Sequence, residues 1–118
     1  MVRVFVAVSG FETEWVRLRL GDEVRRGLEQ ELLRNPGAGD LIKESGGIRK
    51  IRFAIPGRGK SSGIRVFYYD YPQTAHLFLM AVIKKGEREN LSKAERNALR
   101  EAINRMIAEH VRQLGRKR

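Results

Sequence analysis

Residues Gly46–Tyr71, GGIRKIRFAIPGRGKSSGIRVFYYDY, alternate in a way that decides the fold. Ile51, Phe53 and Ile55 recur at every second position and share one face of an extended strand, which sends Lys50 and Arg52 together to the other. Pro56–Gly63 follows with three glycines and two charges of one sign, Arg58 and Lys60, the composition of a conformationally permissive loop. The return segment IRVFYYDY is rich in β-branched and aromatic residues, and Pro72 ends it. The stretch reads strand, glycine-rich basic loop, strand. From Ser45 through Tyr69 it holds Arg49, Lys50, Arg52, Arg58, Lys60 and Arg65, with no Asp or Glu. A hairpin that gathers cations and leaves them without local acidic partners points to phosphate, and through it to RNA.

Upstream of the hairpin, Val2, Val4, Val6 and Val8 alternate with Arg3, Phe5 and Ala7 and predict a strand. Ser9 with Glu12 fits a capping box, predicting a helix from near Phe11 with Phe11, Trp15 and Leu18 on its buried side and Val16 as a further candidate for it. Asp22 is the expected N-cap of a second helix, whose stripe is Val24, Leu28 and Leu32, widened by Leu33. Asn35-Pro36-Gly37 stops it, and Gly39–Ile42 leads in extended form to the hairpin. Downstream, HLFLMAVI (His76–Ile83) is nearly continuously apolar, as expected of a strand buried on both faces at the sheet centre. Lys84-Lys85-Gly86 ends it. A second capping box, Ser92 with Glu95, opens a C-terminal helix with a stripe of Ala98, Leu99, Ala102, Ile103, Met106, Ile107, Val111 and Leu114. The order predicts one α+β domain spanning residues 1–118, with helices on one face of a small antiparallel sheet.

Composition narrows the function. The net charge is +10 over 118 residues, beyond what solubility requires, which favours nucleic acid, acidic partners or an anionic surface. Cysteine is absent, which removes disulfides and thiol chemistry, and two histidines make a protein-only metal site improbable. The opening MVRVFVAVSG is too short an apolar run for a signal peptide or membrane span, so a cytoplasmic protein without a membrane partner is expected. PGRGKSS is not a P-loop: the required first glycine is Ala54, and a strand follows where a helix should. His76 and His110 read as structural residues, and Tyr68, Tyr69 and Tyr71 as packing residues. The bland reading of the basic hairpin is a solvated edge guarded against aggregation. Three features oppose it: no acidic neighbours, Lys50 and Arg52 on one face, and Lys84-Lys85 at the end of the next strand.

ELLRNPGAGDLIKESGGIRKIRF, PGRGKSSGIRVFYY and VIKKGERENLSKAE, in that order and spacing, resemble the RelE/ParE superfamily of toxins and within it the HigB-like branch. The likeness runs from about Phe5 to about Leu99, and its most specific parts are NPGAGDLI, GGIRKIR and GRGK-S-G-IRVFYY. It implies a type II toxin that enters the ribosomal A site and cuts mRNA there without metal or other cofactor. It implies two N-terminal helices and one C-terminal helix around an antiparallel sheet. The catalytic positions it carries over are Lys50, Arg52, Arg65 and Lys85, with Arg49, Arg58, Lys60 and Lys84 as RNA or ribosome contacts. Arg65 and Lys85 would stabilise the phosphorane, Arg52 would clamp phosphate and Lys50 would serve as base. The implied partners are the ribosome, mRNA and a cognate antitoxin, a small helix-turn-helix DNA-binding protein. Relatives often carry a tyrosine or histidine where this chain has Ile83 or Leu91. That departure favours the competing reading, a toxin-fold protein that acts by binding, such as a ParE-like gyrase inhibitor. A plain RNA-binding module is the third reading, without the adjacent-strand aromatic signature it would need.

Overall fold

Strand β1 (Val4–Ala7) passes directly into helix α1 (Ser9–Arg17), and α2 (Gly21–Arg34) follows. A short strand β2 (Asp40–Leu41) precedes the hairpin strands β3 (Arg49–Phe53) and β4 (Ile64–Tyr71). A 3-10 turn at Pro72–Thr74 leads to β5 (His76–Lys84), and α3 (Lys93–Arg116) closes the chain. The computed structural model describes residues 2–58 and 63–116. The strands form one sheet in the order β1-β5-β4-β3-β2, antiparallel at every pairing except β1 with β5, which is parallel.

The sheet is covered on both faces, not on one as the element order alone implied. Phe11 and Trp15 of α1 and Leu28 and Leu32 of α2 pack on Phe53, Ile64, Val66, Tyr68, Leu77, Leu79 and Val82. On the opposite face α3 sets Ile103, with Leu99, Ala102, Met106 and Ile107, against Ile48, Phe67, Met80 and Ile83. Alternation along β4 explains the division. Val66 and Tyr68 belong to one layer and Phe67 to the other, so a single strand supplies both cores. This is why β4 is the middle strand, while β5, the strand expected at the centre, stands between β4 and β1. β5 is still buried on both faces, since α1 lies over one and α3 over the other. A bulge between Phe67 and Tyr68 resets the β4–β5 register: Phe67 faces Ala81 and Tyr68 faces Leu79, leaving Met80 unopposed.

The two Ser-x-x-Glu motifs behave differently. Ser92 and Glu95 form the reciprocal box, with Ser92 N–H donating to Glu95 Oε1 at 2.8 Å and Glu95 N–H donating to Ser92 Oγ at 3.1 Å. At Ser9 no cap forms. Val8 is the extended N-cap residue, because its N–H is still held by Leu79 O at 3.1 Å in continuation of the β1–β5 pairing. Asp22 likewise lies inside the first turn of α2, whose N-cap is Leu20.

Tyr68 ties the chain before the hairpin to the sheet. Its side chain is fully buried, and its hydroxyl accepts from Gly39 N–H at 2.9 Å while donating to Pro36 O at 2.8 Å. A Cβ on Gly39 would lie 2.9 Å from Lys50 O and 3.0 Å from the Tyr68 ring, so only glycine permits this approach. Gly47, at φ 117°, is bound in the same way by Tyr69, whose Cε1 would lie 2.9 Å from an added Cβ. Tyr68→Phe strands both hydrogen-bonding partners in a buried site. It is expected to lower stability by about 1–3 kcal/mol, read as a lower urea midpoint at unchanged slope.

Candidate functional site

The β3–β4–β5 register brings cations into one place. Arg52 faces Arg65 across β3–β4, Arg65 faces Ile83 across β4–β5, and partners in register share a face. Just past the end of β5, Lys85 N–H donates to Gly63 O at 3.0 Å, which folds the lysine back over the mouth of β4. Arg52, Arg65 and Lys85 thus line one cavity of about 230 Å³, together with Phe53, Ala54, Gly63 and Ile64. Lys50 stands on the same face two residues before Arg52, about 7 Å along the strand, half-buried and outside the cavity lining. Asp40 faces Lys50 across β2–β3, a neighbour the hairpin sequence did not announce. No carboxylate oxygen among the described residues lies within 4.0 Å of Lys50, Arg52, Arg65 or Lys85.

The other expected contacts scatter. Arg49 points to the opposite face from Lys50 and donates from one guanidinium nitrogen to Gly39 O at 2.7 Å and Gly37 O at 3.3 Å. It thereby straps the segment after α2 to β3. Lys84 pairs with Ile64 and lines a groove beside α1 rather than the cavity. Arg58 is exposed and reaches Arg19 O at 3.5 Å, towards the α1–α2 junction. Lys60 lies outside the described residues.

The segment between β5 and α3, which shapes the cavity rim, is anchored by ion pairs that sequence reading passed over. Arg17 of α1 meets Glu87 at 2.7 Å and Glu14 at 2.9 Å, and Arg88 meets Glu95 at 2.9 Å. The alternating charges of GEREN were the available signal. Within this anchored segment Glu89 O accepts a hydrogen bond from Arg65, which orients the guanidinium at the cavity. Arg17 holds the Glu14 carboxyl below its ordinary range. Arg88, with help from Ser92 N–H, does the same for Glu95.

The histidines are remote. Tyr71 pairs with His76 at one end of β4–β5, whereas Ile64 pairs with Lys84 at the cavity end. His76 shares a hydrogen bond of 2.7 Å with Thr74 Oγ1, and His110 packs edge-on against Tyr71 at 5.4 Å. Ile83 and Leu91 are core residues, 4% and 6% exposed. Among the described residues no group of three His, Cys, Asp or Glu side chains is placed to hold a metal ion. Among them, too, no helix is long and apolar enough to cross a membrane.

Fold and site together define a small basic α+β protein with a carboxylate-free cation cavity at one end of its sheet. The family model described as "RelE toxin of RelE / RelB toxin-antitoxin system" matches residues 37–117, and the chain belongs to that family. Among solved structures, a double mutant of the E. coli toxin RelE in the free state is similar at 25% identity and a TM-score of 0.52. That match covers 74% of this chain and 86% of that one. The isolated E. coli RelE toxin shares the fold at 23% identity and a TM-score of 0.51, over 90% of this chain and 99% of its own. The matches agree with the RelE/ParE-type resemblance and do not single out the HigB-like branch.

Because the carboxyl of Glu95 is acidified in the folded state, the stability it contributes is present above its ordinary pKa of 4.5 and lost as pH falls through the lowered value. Hydrogen-exchange protection in the first turn of α3, taken relative to the intrinsic exchange rate at each pH, is expected to fall over that acid range. Glu95→Gln should remove the pH dependence there and leave β4 protection unchanged.

Proposed function

We propose that this toxin is a ribosome-dependent, metal-independent endoribonuclease that cuts mRNA in the A site. The observation that carries the reading is the rung Arg52–Arg65, closed by Lys85 into one cavity with no carboxylate within 4.0 Å among the described residues. Like charges held together are unfavourable in the free protein and become favourable when a phosphate enters.

In-line attack by a 2′-hydroxyl expels the 5′-oxygen of the next nucleotide and leaves a cyclic phosphate. Lys50 takes the hydroxyl proton, Arg52 clamps the scissile phosphate with its planar fork, and Arg65 and Lys85 stabilise the dianionic phosphorane. The proton for the leaving oxygen comes from the ribosomal complex, since neither imidazole nor phenol reaches this end of the sheet. Such a cation set is weak on free RNA. Prior alignment of mRNA by the ribosome supplies the orientation it lacks. The family implies an antitoxin partner. The reading here is a helix-turn-helix DNA-binding antitoxin and action in the cytoplasm, at the ribosome.

Cell-free translation of a defined message, with RNA ends mapped, tests this directly. New ends are expected only on translated message, reduced about 10²-fold or more in Arg65→Ala and in Lys85→Ala. Intact message under active translation would overturn the nuclease reading. The burial of Ile83 and Leu91 favours a binding toxin as the second reading. In that case the message stays intact while supercoiling by DNA gyrase is inhibited.

A further inference from the structure

The cations of α3 have no role in the cavity, and two of them are placed unlike the rest. Arg96 precedes Leu99 by three residues and buried Ile103 by seven, so it lies on the sheet-facing stripe of the helix. Its Nε is buried without a hydrogen-bond partner. Arg100, one turn on, donates to Glu44 O at 3.2 Å, and its Cγ would lie 3.5 Å from a Cβ on Gly46. That contact sets this flank of α3 over the turn leading into β3. The helix runs towards Tyr71, against which His110 packs, and so is parallel to β4. Arg96 is therefore displaced from Arg100 towards the cavity, alongside the strand that carries Lys50 and Arg52.

Pairing separates these arginines from others. Arg3, Arg17, Arg25, Arg88 and Arg112 each have a carboxylate partner, whereas Arg96 and Arg100 have none within 4.0 Å among the described residues. The helix N-terminus offers no competing anion site, because Ser92 and Glu95 close it reciprocally. A buried guanidinium nitrogen without a partner carries a desolvation cost that an incoming phosphate would offset. Arg96 and Arg100 stand about 6 Å apart along the helix axis, on the helix that packs against the sheet face to which Lys50 and Arg52 belong.

We propose that the groove between α3 and β3 is a second phosphate-binding track, in which Arg96 and Arg100 grip single-stranded RNA extending from the cleavage cavity. The inference rests on RNA as the ligand of the cavity. It differs in assigning contacts beyond the reacting phosphate to residues outside the catalytic set. An RNA strand is preferred to an acidic protein because Arg96 is displaced from Arg100 towards the cavity end of the sheet, the direction from which a strand leaving the cavity would come.

Fluorescence anisotropy with a uridine trinucleotide and a uridine nonanucleotide, across a salt series, distinguishes the two claims. The wild-type protein should bind the longer strand more tightly and with a steeper salt dependence. Arg96→Gln/Arg100→Gln should bind the trinucleotide as wild type does, lose the gain with length, and lower the nonanucleotide salt slope by about 1.4. Arg96→Lys should keep most of the slope, which separates lost charge from lost packing. Arg26→Gln/Arg34→Gln on α2 should change neither. Chemical denaturation of each variant verifies its folding. Equal slopes for wild type and the α3 double variant would overturn the track, as would a length gain that survives in it. Failure of the wild type to bind the trinucleotide would instead strike the cavity reading.

Discussion

The register of β4 between β3 and β5 is the constraint on which the other features depend. From Ile64 to Tyr68 each β4 residue is held from both sides, and a slip by one position would turn every side chain to the opposite face. In the observed register Val66 and Tyr68 enter the α1–α2 layer while Phe67 enters the α3 layer. The same register sets Arg65 opposite Arg52. Burial of the apolar residues, at roughly 1.5–3 kcal/mol each, therefore also fixes two arginines on one rung. The bulge at Phe67/Tyr68 makes this compatible with a helix on each face.

A site made of like charges must be held by something other than its own attractions. Here the restraint is backbone and distant ion pairs. Lys85 is placed by its backbone N–H, which donates to Gly63 O, and Arg65 is oriented by the carbonyl of Glu89. The segment containing Glu89 is gripped by Arg17–Glu87 on one side and Arg88–Glu95 on the other. These exposed pairs are individually worth little in stability. Their effect is positional: they keep carboxylates at the rim engaged with other arginines and away from the cavity. Among the described residues, Arg52, Arg65 and Lys85 are left without a carboxylate within 4.0 Å.

Chain alternation made Lys50 and Arg52 legible as a pair, and the basic, acid-free hairpin made the site legible as a region. The limits came from ambiguity that local pattern cannot resolve. Ser9-x-x-Glu12 and Ser92-x-x-Glu95 are the same motif, yet only the second caps. At the first, the β1–β5 pairing reaches Val8 and hands the N-cap position to it. Arg49 and Lys84 carry the same charge as the site residues. They turn away because each is one position out of phase with the residues that line the cavity or face it. Arg96 and Arg100 sit on a helix that begins at Lys93, 22 residues after the hairpin ends at Tyr71, and nothing local relates them to it.

Composition and periodicity by themselves determined the element order, the α+β class, the strand–loop–strand hairpin and its excess of positive charge. These are properties of neighbouring residues, set by side-chain spacing along the chain and by net charge. Only the tertiary structure decided that α3 covers the face opposite α1 and α2, that β1 joins β5 in parallel, and that Lys85 meets Arg52 and Arg65. Those outcomes depend on which apolar surfaces find one another and on which register buries both faces of β4. Such non-local packing is free to unite residues that local order keeps apart.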